Sequence, residues 1–267
     1  MHTRIEQLKK ALKPYTAEGI VLAFSGGTDS AFLLAVLLEL RRENPFPFSA
    51  VMMCSPFQKP GEQEHAKRFA ESLGLSLICM EYDPFQMEEL RNNPPERCYF
   101  CKKFFFSAIR NFAVQNGKKW VFDGTNSDDL QEHRPGQKAL QEAEIRSPLA
   151  ENGFSKQEIR QCSRFMKLST ADLPAAPCLA TRFPYGTPLT PEKIRFAAEC
   201  EQILERFLPE GVIRRIRFLR DKTIIETEVS CLPELQRSAE ILLNELREAG
   251  CPAPEIDPEG YRSGKFD

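Results

Sequence analysis

The 267-residue sequence contains no G-x-x-x-x-G-K-[ST] string, no run of eighteen apolar residues, no internal repeat and no low-complexity tract. The first absence excludes a Walker-type nucleotide loop, and the second excludes a membrane-spanning helix. There is also no surplus of positive charge. A net charge of −2 and a pI near 6.1 offer nucleic acid no global attraction, so only a local basic patch could serve such a partner. The first thirteen residues are polar and lack an apolar core with a cleavage site, which sets the expectation of a cytoplasmic protein. A second C-x-x-C is missing as well, which argues against a structural zinc ribbon.

What is present is ample for a packed core, with 42% hydrophobic and 10% aromatic residues, so a disordered or collagenous chain is excluded. The nine cysteines are odd in number and cannot all pair within one chain. In a reducing compartment the ones that matter are nucleophiles or metal ligands.

The first half alternates apolar strands with amphipathic helices: strand 20–24, helix 30–42, strand 49–54, helix 61–73, strand 75–81, helix 97–116 and strand 119–123. Strands separated by helical stretches imply right-handed crossovers, hence an α/β fold with a parallel sheet and helices on both faces. Ligands of such sheets lie at the carboxyl ends of the strands, where Ser25 and Asp123 stand. Helices are expected over 137–144 and 155–167, the second opening with a capping box, Ser155 and Glu158. The stretch 174–188 holds four prolines and a glycine and interrupts regular structure. After it, helix 190–207, strands 212–219 and 223–229, and helix 233–249 suggest a small α+β domain. The expected organisation is a nucleotide domain over 1–170, a junction over 171–189 and a C-terminal domain over 190–267.

Six segments carry chemistry. Ser25-Gly26-Gly27-Thr28-Asp29-Ser30 lies where a strand turns into a helix. Glycines there let the backbone approach an anion, which then faces the unpaired N–H groups and positive dipole end of the helix. Asp123-Gly124-Thr125-Asn126, with Asp128 and Asp129, places carboxylates and hydroxyl or amide groups at the end of the fourth strand, as an ordinary turn or as a site for adenosine and Mg2+. Arg134, in His133-Arg134-Pro135-Gly136, could hold a phosphate through its planar fork.

Cys98-Tyr99-Phe100-Cys101 puts two thiols at the start of a helix, where the dipole favours thiolate. Redox, zinc, iron-sulfur and simple packing roles all remain open for it. Cys178 stands apart from Cys54, Cys79, Cys162, Cys200, Cys231 and Cys251, which read as packing residues. It lies in the irregular junction with Arg182 nearby, where a guanidinium could stabilise its thiolate. Finally, alternation along Arg214-Arg215-Ile216-Arg217-Phe218 sets Arg215 and Arg217 on one face. That face could bind a phosphate, with Glu226 in reach, or could belong to a solvated edge strand.

SGGTDS resembles the loop of the PP-loop ATP pyrophosphatases, of adenine nucleotide alpha hydrolase-like fold, which implies activation by adenylation with release of pyrophosphate. Together with PPERCYFCKK, DGTNSDD, RPGQKAL, RSPL, PCLATRFPYGT, the RRIR strand and Tyr261-Arg262-Ser263-Gly264, it resembles the LarE family. These are ATP-dependent sulfur transferases that build the nickel-pincer cofactor of lactate racemase. The resemblance implies pyridinium-3,5-biscarboxylic acid mononucleotide as substrate and thiocarboxylates as product. It places pyrophosphate at Ser25, Gly26, Gly27, Asp29 and Ser30, with Asp123, Thr125 and Arg134 completing the nucleotide site. The substrate phosphate falls to Arg215 and Arg217, with Arg182, Glu201 and Glu226 around it, and the sulfur-delivering cysteine is Cys178.

The family divides on its sulfur source. One kind gives up the cysteine's own sulfur, and the other binds a 4Fe-4S cluster on three cysteines, a set that Cys98, Cys101 and Cys178 would supply. The resemblance favours the cluster kind and suggests a homo-oligomeric ring. Two other readings stay open, a PP-loop transfer RNA thiolase and a nucleotide-binding regulatory module without turnover.

Overall fold

Ile5, Leu8 and Leu12 recur at helical spacing and are buried, so that His2–Leu12 folds as α1, an element with no counterpart in the sequence-based expectation. A 3-10 segment, Lys13–Glu18, leads into β1 (Ile20–Ala23), whose run of fully buried residues is that of a strand covered on both faces. The computed structural model describes residues 1–131 and 136–262. They fall into two units, the first comprising Met1–Ser55, Gly61–Tyr82 and Glu96–Leu173, the second Pro56–Pro60, Asp83–Pro95 and the chain from Pro174 onward.

In the first unit α2 (Thr28–Glu43) follows β1, buried on nearly all sides from Ser30 to Leu38. Asp29 sits in its first turn and Arg41 and Arg42 in its last, which complements its dipole. Then come β2 (Phe48–Cys54), α3 (Glu62–Ser72), β3 (Ile78–Glu81), α4 (Arg97–Gln115) and β4 (Trp120–Phe122). The order β3-β2-β1-β4, parallel throughout, is the expected α/β sheet. Its third strand starts later than the predicted 75–81. Gly74, at φ 83°, donates to Glu71 O and Leu75 donates to Ala70 O at 3.0 Å, closing a Schellman turn that keeps Leu75 out of the ladder.

The unit ends with α5 (Ser127–Gln131), α6 (Gly136–Glu142), α7 (Pro148–Glu151) and α8 (Lys156–Phe165). The capping box is present: Ser155 Oγ accepts from Glu158 N at 3.2 Å and Glu158 Oε2 accepts from Ser155 N at 3.3 Å. No helix among the described residues is long and apolar enough to cross a membrane.

The second unit is built on α9 (Pro191–Glu205), capped by Thr190, and on the antiparallel pair β5 (Arg214–Phe218) and β6 (Thr223–Thr227). Ile194, Ala197, Cys200 and Leu204 of the helix join Ile216, Phe218 and Ile225 of the sheet in one core. The single helix expected over 233–249 is instead two, α10 (Leu232–Arg237) and α11 (Ala239–Glu248). Ser238 leaves helical geometry at φ −103°, ψ 10° and ends the first while starting the second. A third strand, β7 (Pro254–Ile256), pairs parallel to β6. Its three residues beside two prolines give too little alternation to read from sequence.

The capping box yields a direct test. Ser155→Ala removes the acceptor for the Glu158 N–H, and urea unfolding should show a loss of about 1 kcal/mol; an unchanged midpoint would contradict the assignment.

Candidate active site

The strand order reverses at β1, with β2 on one side and β4 on the other, so the crevice at their carboxyl ends is the switch point of the sheet. The glycine string enters it directly. Gly26 has φ 80°, and a Cβ there would stand 2.9 Å from that of Ala66 in α3, so both conformation and packing require glycine. Gly27 is the N-cap of α2 and lends no side chain to the first-turn N–H groups, which leaves that helix end suited to an anion. Ser25 Oγ and Ser30 Oγ lie 3.0 Å apart, Ser30 Oγ donates to Gly27 O at 3.1 Å, and Thr28 Oγ1 ties the turn to Thr170 O at 2.8 Å.

The β4 side closes on the same helix end. A Cβ on Gly124 would lie 2.8 Å from Ser30 N, so the two backbones are in contact. Asn126 Nδ2 donates to Asp29 Oδ2 at 2.9 Å, while its Oδ1 accepts from the N–H groups of Asp128 and Asp129 and caps α5. Asp128 accepts from Lys156 N and Asp129 pairs with Lys156 Nζ at 3.1 Å, so these two carboxylates fasten α5 to α8. Asp29 and Asp123 remain at the crevice. Asp123 is buried and accepts from Ser147 Oγ at 2.6 Å and from Thr125 Oγ1. Burial pushes its carboxyl above the usual range, against the pull of those two hydroxyls and of Lys102. Burial likewise raises Asp29, opposed by the Asn126 bond and seconded by the Asp129 charge.

Cys98 and Cys101 occupy the first turns of α4, the former exposed, the latter half-buried with its Sγ 3.6 Å from Tyr82 Oη. None of the nine cysteines is in a disulfide. Among the described residues no group of three or more His, Cys, Asp or Glu is placed to hold a metal ion. Arg134 and His133 lie outside the described residues.

In the second unit Cys178 is half-buried at the entry to a short 3-10 turn, Leu179–Arg182. Arg182 is bound to the backbone of the cysteine segment. Its guanidinium, 1% exposed, holds Glu201 in a two-pronged pair at 2.5 and 3.0 Å, Thr181 Oγ1 at 2.7 Å, and the carbonyl oxygens of Pro177 and Cys178 at 3.3 and 3.5 Å. Its hydrogen bonds therefore fix the backbone under the cysteine. Lys59 adds a second cation on Glu201 Oε2 at 2.6 Å.

Arg215, Arg217, Glu201 and Glu226, expected together, are together and buried. Arg217 pairs with Glu226 Oε2 at 2.9 Å and donates to Thr181 O at 2.7 Å, while Glu226 Oε1 is buried without a hydrogen-bond partner. Arg215 lies 4.3 Å from the centre of the Tyr261 ring. Burial lowers its pKa, and the charges of Arg182 and Arg217 lower it further. Four cations, Lys59, Arg182, Arg215 and Arg217, thus surround two carboxylates, Glu201 and Glu226, a balance that favours an added anion. The solvated-edge reading of β5 is ruled out, since Arg215 and Arg217 are 5% and 4% exposed.

Sequence reasoning assigned no role to Lys59, Ser147, Thr181 or Tyr261. Ser147 and Thr181 fall inside RSPL and PCLATRFPYGT and Tyr261 inside the terminal motif, so their segments carried a signal. Lys59, between a glutamine and a proline, carried none.

Burial alone would raise Glu201, but the charges and hydrogen bonds of Arg182 and Lys59 outweigh it and hold its carboxyl below the usual range. A depressed folded-state pKa contributes stability above the unfolded value of about 4.3 and loses it as pH falls through the folded value. Glu201→Ala leaves Arg182 buried and unpaired, and urea unfolding at pH 7 should lose about 3–5 kcal/mol, with the gap to the parent shrinking in acid; a variant of parental stability at pH 7 would contradict this. Asp123 has the opposite sign, since its raised pKa means that the ionised carboxylate opposes folding above that pKa. Asp123→Asn should unfold at equal or higher urea than the parent at pH 8, and a clear drop would overturn the assignment.

Residues 1–93 match the family model described as a PP-loop domain. The pyridinium-3,5-bisthiocarboxylic acid mononucleotide synthase of Lactiplantibacillus plantarum is 33% identical over 99% of this chain and 94% of its own length. An uncharacterized protein of Synechocystis sp. is 34% identical over 92% of this chain and 91% of its own length. A tRNA-cytidine(32) 2-sulfurtransferase of Shewanella woodyi is 28% identical, but over only 46% of this chain and 41% of its own length. A switch-point glycine loop joined to a buried arginine-glutamate cluster, with relatives that span both units, shows that the chain belongs to the LarE family of PP-loop ATP-dependent sulfur transferases.

Proposed function

We propose that this protein converts the carboxylates of pyridinium-3,5-biscarboxylic acid mononucleotide into thiocarboxylates, a step in making the nickel-pincer cofactor of lactate racemase. The observation that carries the substrate is the reach of the similarity. The Lactiplantibacillus synthase matches through the arginine-glutamate unit as well as the loop, whereas the transfer RNA enzyme covers 46% of the chain.

ATP would lie with its pyrophosphate portion on Ser25, Gly26, Gly27 and Ser30, against the uncapped start of α2. Asp29 and Asp123, whose ionised forms burial disfavours, fit a Mg2+ ion accompanying the phosphates, since its charge would compensate theirs. Arg134 is a further proposed phosphate ligand. Attack of a substrate carboxylate oxygen on the α-phosphorus forms an acyl-adenylate and expels pyrophosphate. Arg215 and Arg217 take the substrate phosphate, and the unpartnered Oε1 of Glu226 suits a donor such as a ribose hydroxyl. Arg182 and Glu201 position the backbone of Cys178.

The sulfur reaches the acyl carbon through Cys178, with AMP leaving as the C–S bond forms. Three cysteines, Cys98, Cys101 and Cys178, none in a disulfide and none fully buried, have the donor chemistry of a 4Fe-4S cluster whose open iron would supply a renewable sulfide. The reading with one sacrificed sulfur requires only Cys178: loss of its Cα proton and cleavage of the Cβ–Sγ bond release the thiocarboxylate and leave dehydroalanine. Iron and sulfide analysis after anaerobic purification separates the two. The protein is further proposed to act as a homo-oligomer.

Mass spectrometry of the reaction with ATP and the pyridinium substrate should show two oxygen-to-sulfur exchanges. Cys178→Ser should abolish both, and Arg215→Ala should raise KM for the substrate roughly 10- to 100-fold, as expected for a lost charge-assisted bond. Sulfur incorporation by Cys178→Ser at the parental rate, or tight salt-dependent transfer RNA binding without any exchange, would refute the proposal.

A further inference from the structure

Cys200 and Cys251 bring their sulfurs within 3.3 Å of each other inside the second unit, both buried and neither in a disulfide. Cys200 lies on α9, one residue before Glu201, and Cys251 lies between α11 and β7. The two are 51 residues apart in sequence. A disulfide needs its sulfurs at about 2.05 Å, so closure requires an approach of little more than an ångström. Cys251, 4% exposed, is the member of the pair nearer the surface, flanked by exposed Gly250 and Pro252.

We propose that Cys200 and Cys251 form a reversible disulfide that staples α9 to the entry of β7. Cys251 is the less buried of the two and is taken as the attacking thiol, and its contact with Cys200 lowers its pKa, the direction that favours thiolate. With a hydroperoxide as oxidant, the Cys251 thiolate attacks the O–O bond, giving a sulfenic acid and the corresponding alcohol or water. The Cys200 thiol then attacks the sulfenic sulfur; the S–S bond forms, the S–O bond breaks and water leaves. A dithiol reductant reverses the bond by exchange.

The other internal pair, Cys54 and Cys79, is placed differently. Its side chains also touch, but the strands set Cys54 opposite Glu81 and Cys79 opposite Met52, a diagonal offset of two ladder positions at which a disulfide would require backbone movement. The Cys200–Cys251 bridge would instead close a long loop between elements already in contact, the case in which a cross-link constrains the unfolded chain strongly.

Graded hydrogen peroxide treatment of the intact protein, alkylation under denaturing conditions and tryptic mass spectrometry test this. The expected result is one linked peptide joining Phe196–Arg206 to Glu248–Arg262, lighter by two hydrogen masses than the sum of its parts and released by dithiothreitol, with a higher thermal midpoint for the oxidised protein. Cys251→Ser should leave Cys200 open to alkylation and remove the thermal shift. Recovery of both peptides singly alkylated at peroxide levels that oxidise the exposed Cys98, or linkage of Cys200 to another cysteine, would overturn the proposal; this result on the parent protein decides even if the variant fails to fold.

Discussion

The contact between Gly124 and the first turn of α2 governs the nucleotide end of this molecule. No side chain fits at Gly124, because the amide of Ser30 occupies that space. With the two backbones touching, Asn126 reaches Asp29 and the carboxylate of Asp123 is carried to the same strand ends as the glycine turn. A parallel sheet offers such a meeting only where its order reverses, and here that place falls between β1 and β4. The raised pKa values of Asp29 and Asp123 follow from the same packing, since the water that would solvate two carboxylates is displaced by backbone. Such groups are held at an energetic disadvantage until a cation or phosphate chemistry uses them.

The second unit solves a different problem, the burial of three arginines with two carboxylates, Lys59 standing half-buried beside them. Each buried charge needs several directed partners to offset lost hydration, and Arg182 has them in Glu201, Thr181 and two carbonyl groups. Thr181 is shared, with its hydroxyl on Arg182 and its carbonyl on Arg217, so the segment bearing Cys178 is bound to both arginines. Arg215 stands opposite Glu226 in the strand register, against the Tyr261 ring and near the charges of Arg182 and Arg217. The arrangement gives the sulfur-bearing segment a fixed footing and a nearby preference for anions in one network.

Much of this was legible from residues alone where the physics is local. Apolar runs between turns gave the parallel sheet, the glycine string gave the turn from β1 into the start of α2, and period-two spacing put Arg215 and Arg217 on one face. What stayed hidden depends on distant partners. The contact of Lys59 with Glu201 spans 142 residues, and β7 is a strand only because β6 accepts it. The pairing of Arg182 with Glu201 stayed hidden for the same reason: sequence shows the nearness of Arg182 to Cys178, whereas its carboxylate partner lies on α9.

The role proposed for the glycine turn is to hold pyrophosphate as a leaving group, so the bond broken in ATP is the most direct measure of the account. Phosphorus-31 NMR of ATP turnover with the pyridinium substrate should show AMP and pyrophosphate appearing in equal amounts. ADP and inorganic phosphate as the products would mean that the loop transfers a phosphoryl group, and the account would fail.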